Sequence, residues 1–387
     1  MAPNNPQRLF QSFWLGGYEC ACHINGAGVR LDLLDATQHD AQVYDDYMLL
    51  KSVGIETVRD GIRWPMIEQP DGSFDFSSFV PMFEAGQKAG VQVIWDICHY
   101  GWPDGLDIFS DAFITRFARF SKAVAEFVRA RSDAVPYYTP VNEISFFCWA
   151  AGEVGWFHPY GKDRGAELKR QLVRAAVACC KAVLEVDPRA RFVHVDPIIN
   201  IVPPRERPEE AQESIDYTNS QYEAWDMIAG MRDPELGGQR RFLDIVGVNF
   251  YHSNQWEHHG ERLRWEDEPR DDRWLPLHLM IKRVYERYQC PIFIGETSHF
   301  GSGRARWIRE IGEEVQKCCA AGVPLAGVCI YPIIDRPDWE NANHWHNSGL
   351  WDLPRDANGV LRRELNQEYA EALAEAQALT ANSRCLK

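Results

Sequence analysis

The chain has 387 residues, 45% of them apolar and 25% charged, with a net charge of −15. That length suits one large barrel or two ordinary domains, and the acidity excludes a nucleic-acid reader, which needs a basic face. No run reaches the apolar length of a bilayer span, and the first residues lack the basic-then-apolar order of an export signal.

Short apolar runs rich in β-branched and aromatic residues alternate with longer segments of helical period. The first run, 13–23 (FWLGGYECACH), precedes a helical segment at 39–53 that stops at Gly54. The run 55–64 leads to helical residues 77–89, closed by Gly90, and 91–100 leads to 109–132. The run 136–143 precedes the helical stretch 165–186. After 191–200 comes a Pro- and Glu-rich interval, 201–241, expected to be a long loop with one helix near 212–229. The last three pairs are 242–251 with 275–289, 291–298 with 303–321, and 324–335 with a final helix at 364–380.

Eight strands, each followed by a helix, predict a single-domain (β/α)8 TIM barrel over residues 1–387. An open doubly wound sheet is the alternative, but no G-x-G-x-x-G follows the first strand. The 11 cysteines lie mostly in apolar runs (Cys98, Cys148, Cys290, Cys329) or adjacent pairs (Cys179–Cys180, Cys318–Cys319). That pattern predicts buried reduced thiols and a cytoplasmic protein. Cys20 and Cys22 are not followed by the second pair that a structural zinc requires.

Polar residues cluster where the strands end: His23, Arg59, His99, Asn142, Glu143, Asn249, Tyr251, Glu296 and Asp335. Polar groups closing apolar strands are costly unless they pair or work, and barrels place their chemistry at this end. Glu143 ends the fourth strand in TPVNE and Glu296 the seventh in FIGETS, roughly opposite each other across the barrel mouth. Two carboxyl groups flanking one bond are what glycoside cleavage requires. A lone strand-end Glu more often pairs with an Arg; two on these strands favour a site.

Asn-Glu closing strand four and Glu closing strand seven resemble the signature of clan A glycoside hydrolases, most closely the family 1 β-glucosidases. VRDGIRW (Arg59, Trp64), CHYGWPDGL (His99), PVNE, GVNFY (Asn249, Tyr251), FIGETS, YPIIDRPDW (331–339) and GLWDLPRD (349–356) carry the resemblance. The chain departs from the family pattern where His23 stands for Gln, Ile144 for Pro, Tyr331 for Trp and Asp338 for Glu, and where FIGETS lacks the family's Asn-Gly.

The resemblance implies a retaining β-glycosidase with Glu296 as nucleophile and Glu143 as acid/base. It places Arg59 and Tyr251 on Glu296, although either serves equally in a barrel-core ion-pair set. It assigns Asn142 to the sugar 2-hydroxyl and Asn249 to the site. His23, His99, Asp338 and Trp339 would contact the glycone, with Trp339 and Tyr331 beneath it. The expected partner is a small glycoside or oligosaccharide, met by hydrolysis or by transfer to another sugar; a catalytically silent sugar-binding barrel or subunit is the rival. No cofactor, membrane or nucleic acid is expected. HWH at 344–346 and the adjacent His258–His259 fall outside the strand-end pattern of barrel metallohydrolases, so no metal is expected.

Overall fold

The computed structural model describes residues 9–381. Eight parallel strands close a barrel: β1 Trp14–Gly17, β2 Thr57–Gly61, β3 Gln92–Asp96, β4 Tyr137–Thr139, β5 Arg191–Pro197, β6 Ile245–Asn249, β7 Ile292–Thr297 and β8 Leu325–Ile330. Neighbours follow chain order around the ring, and β1 closes it by pairing with β8, Trp14 opposite Val328. Each expected run contains one barrel strand, and the polar residues beyond the strand lie on the loop that follows. This is the (β/α)8 fold.

The strands are buried on both faces, as a parallel sheet wrapped by helices must be. Phe10, Leu15, Ile94, Val193, Val195, Ile245, Phe293 and Cys329 pack together as one cluster inside the ring, so the barrel is filled rather than hollow.

The main outer helices are α1 His39–Ser52, α2 Val80–Ala89, α3 Asp111–Arg129, α4 Gly165–Val186, α5 Glu223–Ala229, α6 Leu277–Tyr288, α7 Gly303–Ala320 and α8 Gln367–Ala381. Helix α3 shows why they form. Ser110 Oγ accepts from Phe113 N at its start, and Phe113, Phe117, Phe120, Val124 and Val128 recur every three or four residues on the buried face.

Three features depart from the sequence expectation. The helix expected near 212–229 is two, Ala211–Asn219 and α5, separated by a tight turn at Ser220–Tyr222. Asn200–Val202 and Gln255–Glu257 pair as a small parallel sheet outside the barrel. After β4 the chain makes one α-turn, Ile144–Phe147, and then widens into a π-turn over Cys148–Glu153. Among the described residues nine cysteines, Cys318 among them, are free and buried as expected; Cys319 is instead disulfide-bonded. Among the described residues no helix is long and apolar enough to cross a membrane.

Candidate active site

At the carboxyl ends of the strands lies a cavity of about 1050 Å³. His99, Glu143, Tyr251, Glu296, Tyr331 and Trp339 line it. Arg59, Asn142 and Asn249 stand immediately behind, bonded to these residues, whereas His23 and Asp338 are not on its wall.

Glu296 is held from two sides. Arg59 Nη1 donates to its Oε1 at 2.8 Å, and the Tyr251 hydroxyl donates to its Oε2 at 2.8 Å. Arg59 is wholly buried and spends its other terminal nitrogen on Asp96, at 2.6 Å, and on Asn142 Oδ1, at 2.8 Å. Burial works against the guanidinium charge, but Asp96 and Glu296 overcome it and hold the Arg59 pKa well above its ordinary value. Removing one member of such a buried charge set costs about 3–5 kcal/mol. Asp96 also meets His99 Nδ1 at 3.2 Å, which ties β3 into the same network.

Glu143 lives differently. Its backbone sits in the left-handed region at φ 44, a conformation that costs a non-glycine residue about 1–3 kcal/mol. The turn after it is fixed by Asp196 of β5, which accepts from Ser145 N at 3.0 Å and from Ser145 Oγ at 2.7 Å. The carboxyl meets two neutral donors, Asn249 Nδ2 at 2.7 Å on Oε1 and the Tyr100 hydroxyl at 2.6 Å on Oε2. Burial, and after it the nearby charge of Glu296, push the Glu143 pKa up to about 8. One cavity therefore holds a carboxyl whose pKa is pushed up beside a carboxyl paired with a guanidinium.

Around His99 the arrangement departs from expectation. Glu19, at the end of β1, lines the cavity with its Oε1 3.5 Å from His99 Nε2 and its Oε2 3.3 Å from Arg336 Nε. His23 is buried among Phe157 and Trp339, with ring centroids at 4.4 and 4.7 Å. That burial, with the charge of His99 next in weight, lowers its pKa to about 3, so the ring is neutral. Asp338 turns back on its own loop: Oδ1 accepts from Glu340 N at 2.9 Å and Asn341 N at 3.0 Å, and Oδ2 meets His346 Nε2 at 3.1 Å. Asn142 Nδ2 lies 3.0 Å from the Tyr100 hydroxyl and 3.2 Å from His99 Nε2.

Tyr331 lies parallel to His99, 5.9 Å away, over bare backbone: a Cβ added at Gly17 would sit 2.1 Å from its Cδ2. Phe146, Trp149, Tyr217, Trp256 and Phe300 add an aromatic lining to the cavity.

The residues missed in the sequence are Glu19, Tyr100, Asp96 and Arg336. A glutamate amid the small residues of GGYECAC and an aspartate closing β3 were the available signals.

No family model matches the chain, and no curated protein matches it. Solved structures do. A β-glucosidase from Thermotoga maritima in complex with castanospermine superposes with a TM-score of 0.70 at 16% identity, over 89% of this chain and 87% of that one. A structure described as a family 1 β-glucosidase from the same organism gives 0.68 at 15% identity, over 89% and 87%. A mutant of a hyperthermophilic β-glucosidase gives 0.72 at 13% identity, over 94% and 99%. The chain therefore shares the barrel fold of the family 1 β-glucosidases.

Proposed function

We propose that the chain is a retaining β-glycosidase acting on a small β-glycoside or oligosaccharide. The observation that carries this is the pair of carboxyl groups at the ends of β4 and β7, in one cavity but in opposite states: Glu143 protonated, Glu296 paired with Arg59. Glu296 attacks the anomeric carbon while Glu143 gives its proton to the departing oxygen, forming a glycosyl ester. Esterification removes the charge that helped hold the proton on Glu143, so its pKa falls and it becomes the base for the second step. It then takes a proton from water, whose oxygen attacks the anomeric carbon and releases Glu296.

The neighbours suit these roles. Tyr251 and Arg59 orient the nucleophile, and Asn249 and Tyr100 orient the acid. Glu19, His99, Arg336 and Trp339 offer polar contacts to the glycone, with Tyr331 beneath it. The aromatic side receives the leaving group.

Two measurements test the proposal. Nitrophenyl β-glycosides should release nitrophenolate, and a 2-fluoro β-glycoside should add one sugar mass to the peptide containing Glu296. Silence toward every nitrophenyl β-glycoside would favour a barrel that only binds sugar. Turnover with inversion and no adduct would overturn the nucleophile.

A further inference from the structure

A second convergence of polar side chains lies in the cavity wall, just past the ends of β6 and β7, where His252 and His299 both line the cavity. His252 follows Tyr251, His299 lies three residues after Glu296, and Glu266 comes from the long connection between β6 and α6. One potential ligand atom from each lies within 4.8 Å of the other two. The imidazole rings of His252 and His299 are 4.5 Å apart, tilted by 50°.

The hydrogen bonds decide which atoms are available. His299 Nδ1 lies 3.0 Å from the carbonyl oxygen of Phe300. A carbonyl only accepts, so Nδ1 carries the hydrogen, and in the neutral ring Nε2 is the atom left with a lone pair. The residue is 4% exposed, and Nε2 has no hydrogen-bond partner. A backbone carbonyl behind one ring nitrogen is the usual orienting contact of a metal-ligating histidine. His252 Nδ1 is likewise buried without a partner. Glu266 Oε1 accepts from Arg262 Nη2 at 2.9 Å and lies 3.5 Å from His299 Nε2, while its Oε2 is buried with no hydrogen bond.

Each such buried atom costs about 1–3 kcal/mol when nothing satisfies it. The three residues that carry them converge, each offering one ligand atom within 4.8 Å of the others, and with neutral rings and an ionised carboxyl these atoms are acceptors. No single neutral donor satisfies three acceptors at once, whereas a cation does. Two imidazole nitrogens and one carboxylate oxygen suit Zn²⁺; Mg²⁺ and Ca²⁺ prefer all-oxygen sets.

We propose that His252, Glu266 and His299 bind one Zn²⁺ ion. Three protein ligands leave a fourth position for water. The ion fastens the 250–275 connection to the loop after β7 and so braces the wall that carries Tyr251 and Glu296.

The test uses zinc alone. Chelator-stripped, full-length protein is titrated with Zn²⁺ by calorimetry, and bound metal is counted after gel filtration. Wild type should take up one equivalent. Glu266→Gln and His299→Ala should weaken binding more than about a hundredfold, beyond the 10–100-fold cost of losing a supporting hydrogen bond. His258→Ala, which alters a separate group with Glu210 and Glu213, should bind as wild type does. Saturating zinc should raise the Tm of wild type but not of Glu266→Gln. Near-ultraviolet circular dichroism checks each variant first; if His299→Ala fails to fold, Glu266→Gln and the half-buried His252→Ala decide. Absence of stoichiometric zinc in wild type, undiminished affinity in the ligand variants, or equal loss in His258→Ala overturns the site. No sugar enters these measurements, so their outcome is independent of the glycosidase assays.

Discussion

At the end of β4, Glu143 meets only neutral donors at its carboxyl, Tyr100 and Asn249, and is pressed into a left-handed backbone. At the end of β7, Glu296 stands within the strand, where the pairing with β6 shifts register, with a buried guanidinium against one oxygen. Both are glutamates and both open on the same cavity, yet the pKa of one is pushed up by burial while the other is paired with a guanidinium. The difference lies in what stands behind each of them. Arg59, on β2, is bonded to Glu296 and not to Glu143, and in the proposed mechanism that contrast separates the nucleophile from the acid.

The sharpest way to break this contrast is to delete each member. Glu296→Ala should lower kcat on every glycoside by on the order of 10⁴–10⁶, because no other group replaces an attacking oxygen. A residual rate within tenfold of wild type would place the nucleophile elsewhere.

Glu143→Ala should be selective. With alkyl glycosides, whose oxygen needs a proton to leave, the loss should be about 10²–10⁴-fold. The glycosylation step with dinitrophenyl glycosides, read as a pre-steady-state burst, should be nearly unchanged. In wild type, activity should fall as pH rises through about 8, where Glu143 gives up its proton, and Glu143→Gln should lack that alkaline limb. Equal losses on both substrate types, or an alkaline limb that survives in Glu143→Gln, would contradict the division of roles.

The smallest expected effect is on stability. The folded-state pKa of Glu143, about 8, lies above its ordinary 4.5, so the native protein keeps a proton that the unfolded chain has released. That contribution is fully present below about 4.5 and is lost as pH rises toward 8. Glu143→Gln should therefore be more stable than wild type at pH 8, by on the order of 1–3 kcal/mol, and nearly equal to it at pH 4. A Tm difference that does not grow with pH would show that the buried carboxyl is not the source.

The barrel was legible because burial on both faces turns each strand into an apolar run, and the polar residue that ends it then stands out. TPVNE and FIGETS carried that signal plainly. Glu19 was obscured because β1 is short and ends in small residues, so nothing marks where its chain turns toward the cavity. Asp338 was legible as a polar residue but not in its contacts. An Asp followed two and three residues later by free backbone N–H groups makes a local turn, which competes with any more distant partner. The parallel pairing of Asn200–Val202 with Gln255–Glu257 joins segments some 50 residues apart, beyond the reach of local periodicity.

Gly17 and Tyr331 bear on the history such a site can have. The phenol ring occupies the space that the first carbon of any side chain at position 17 would fill, 2.1 Å away. Enlarging residue 17 alone would drive the ring into the cavity, and shrinking residue 331 alone would open a void beside the Arg59 guanidinium, whose Cζ lies 5.3 Å from the ring centre. Each single step is penalised by the residue left unchanged. A descendant sequence can exchange this aromatic for one of different shape only by crossing a two-substitution valley, so the two positions should be inherited together.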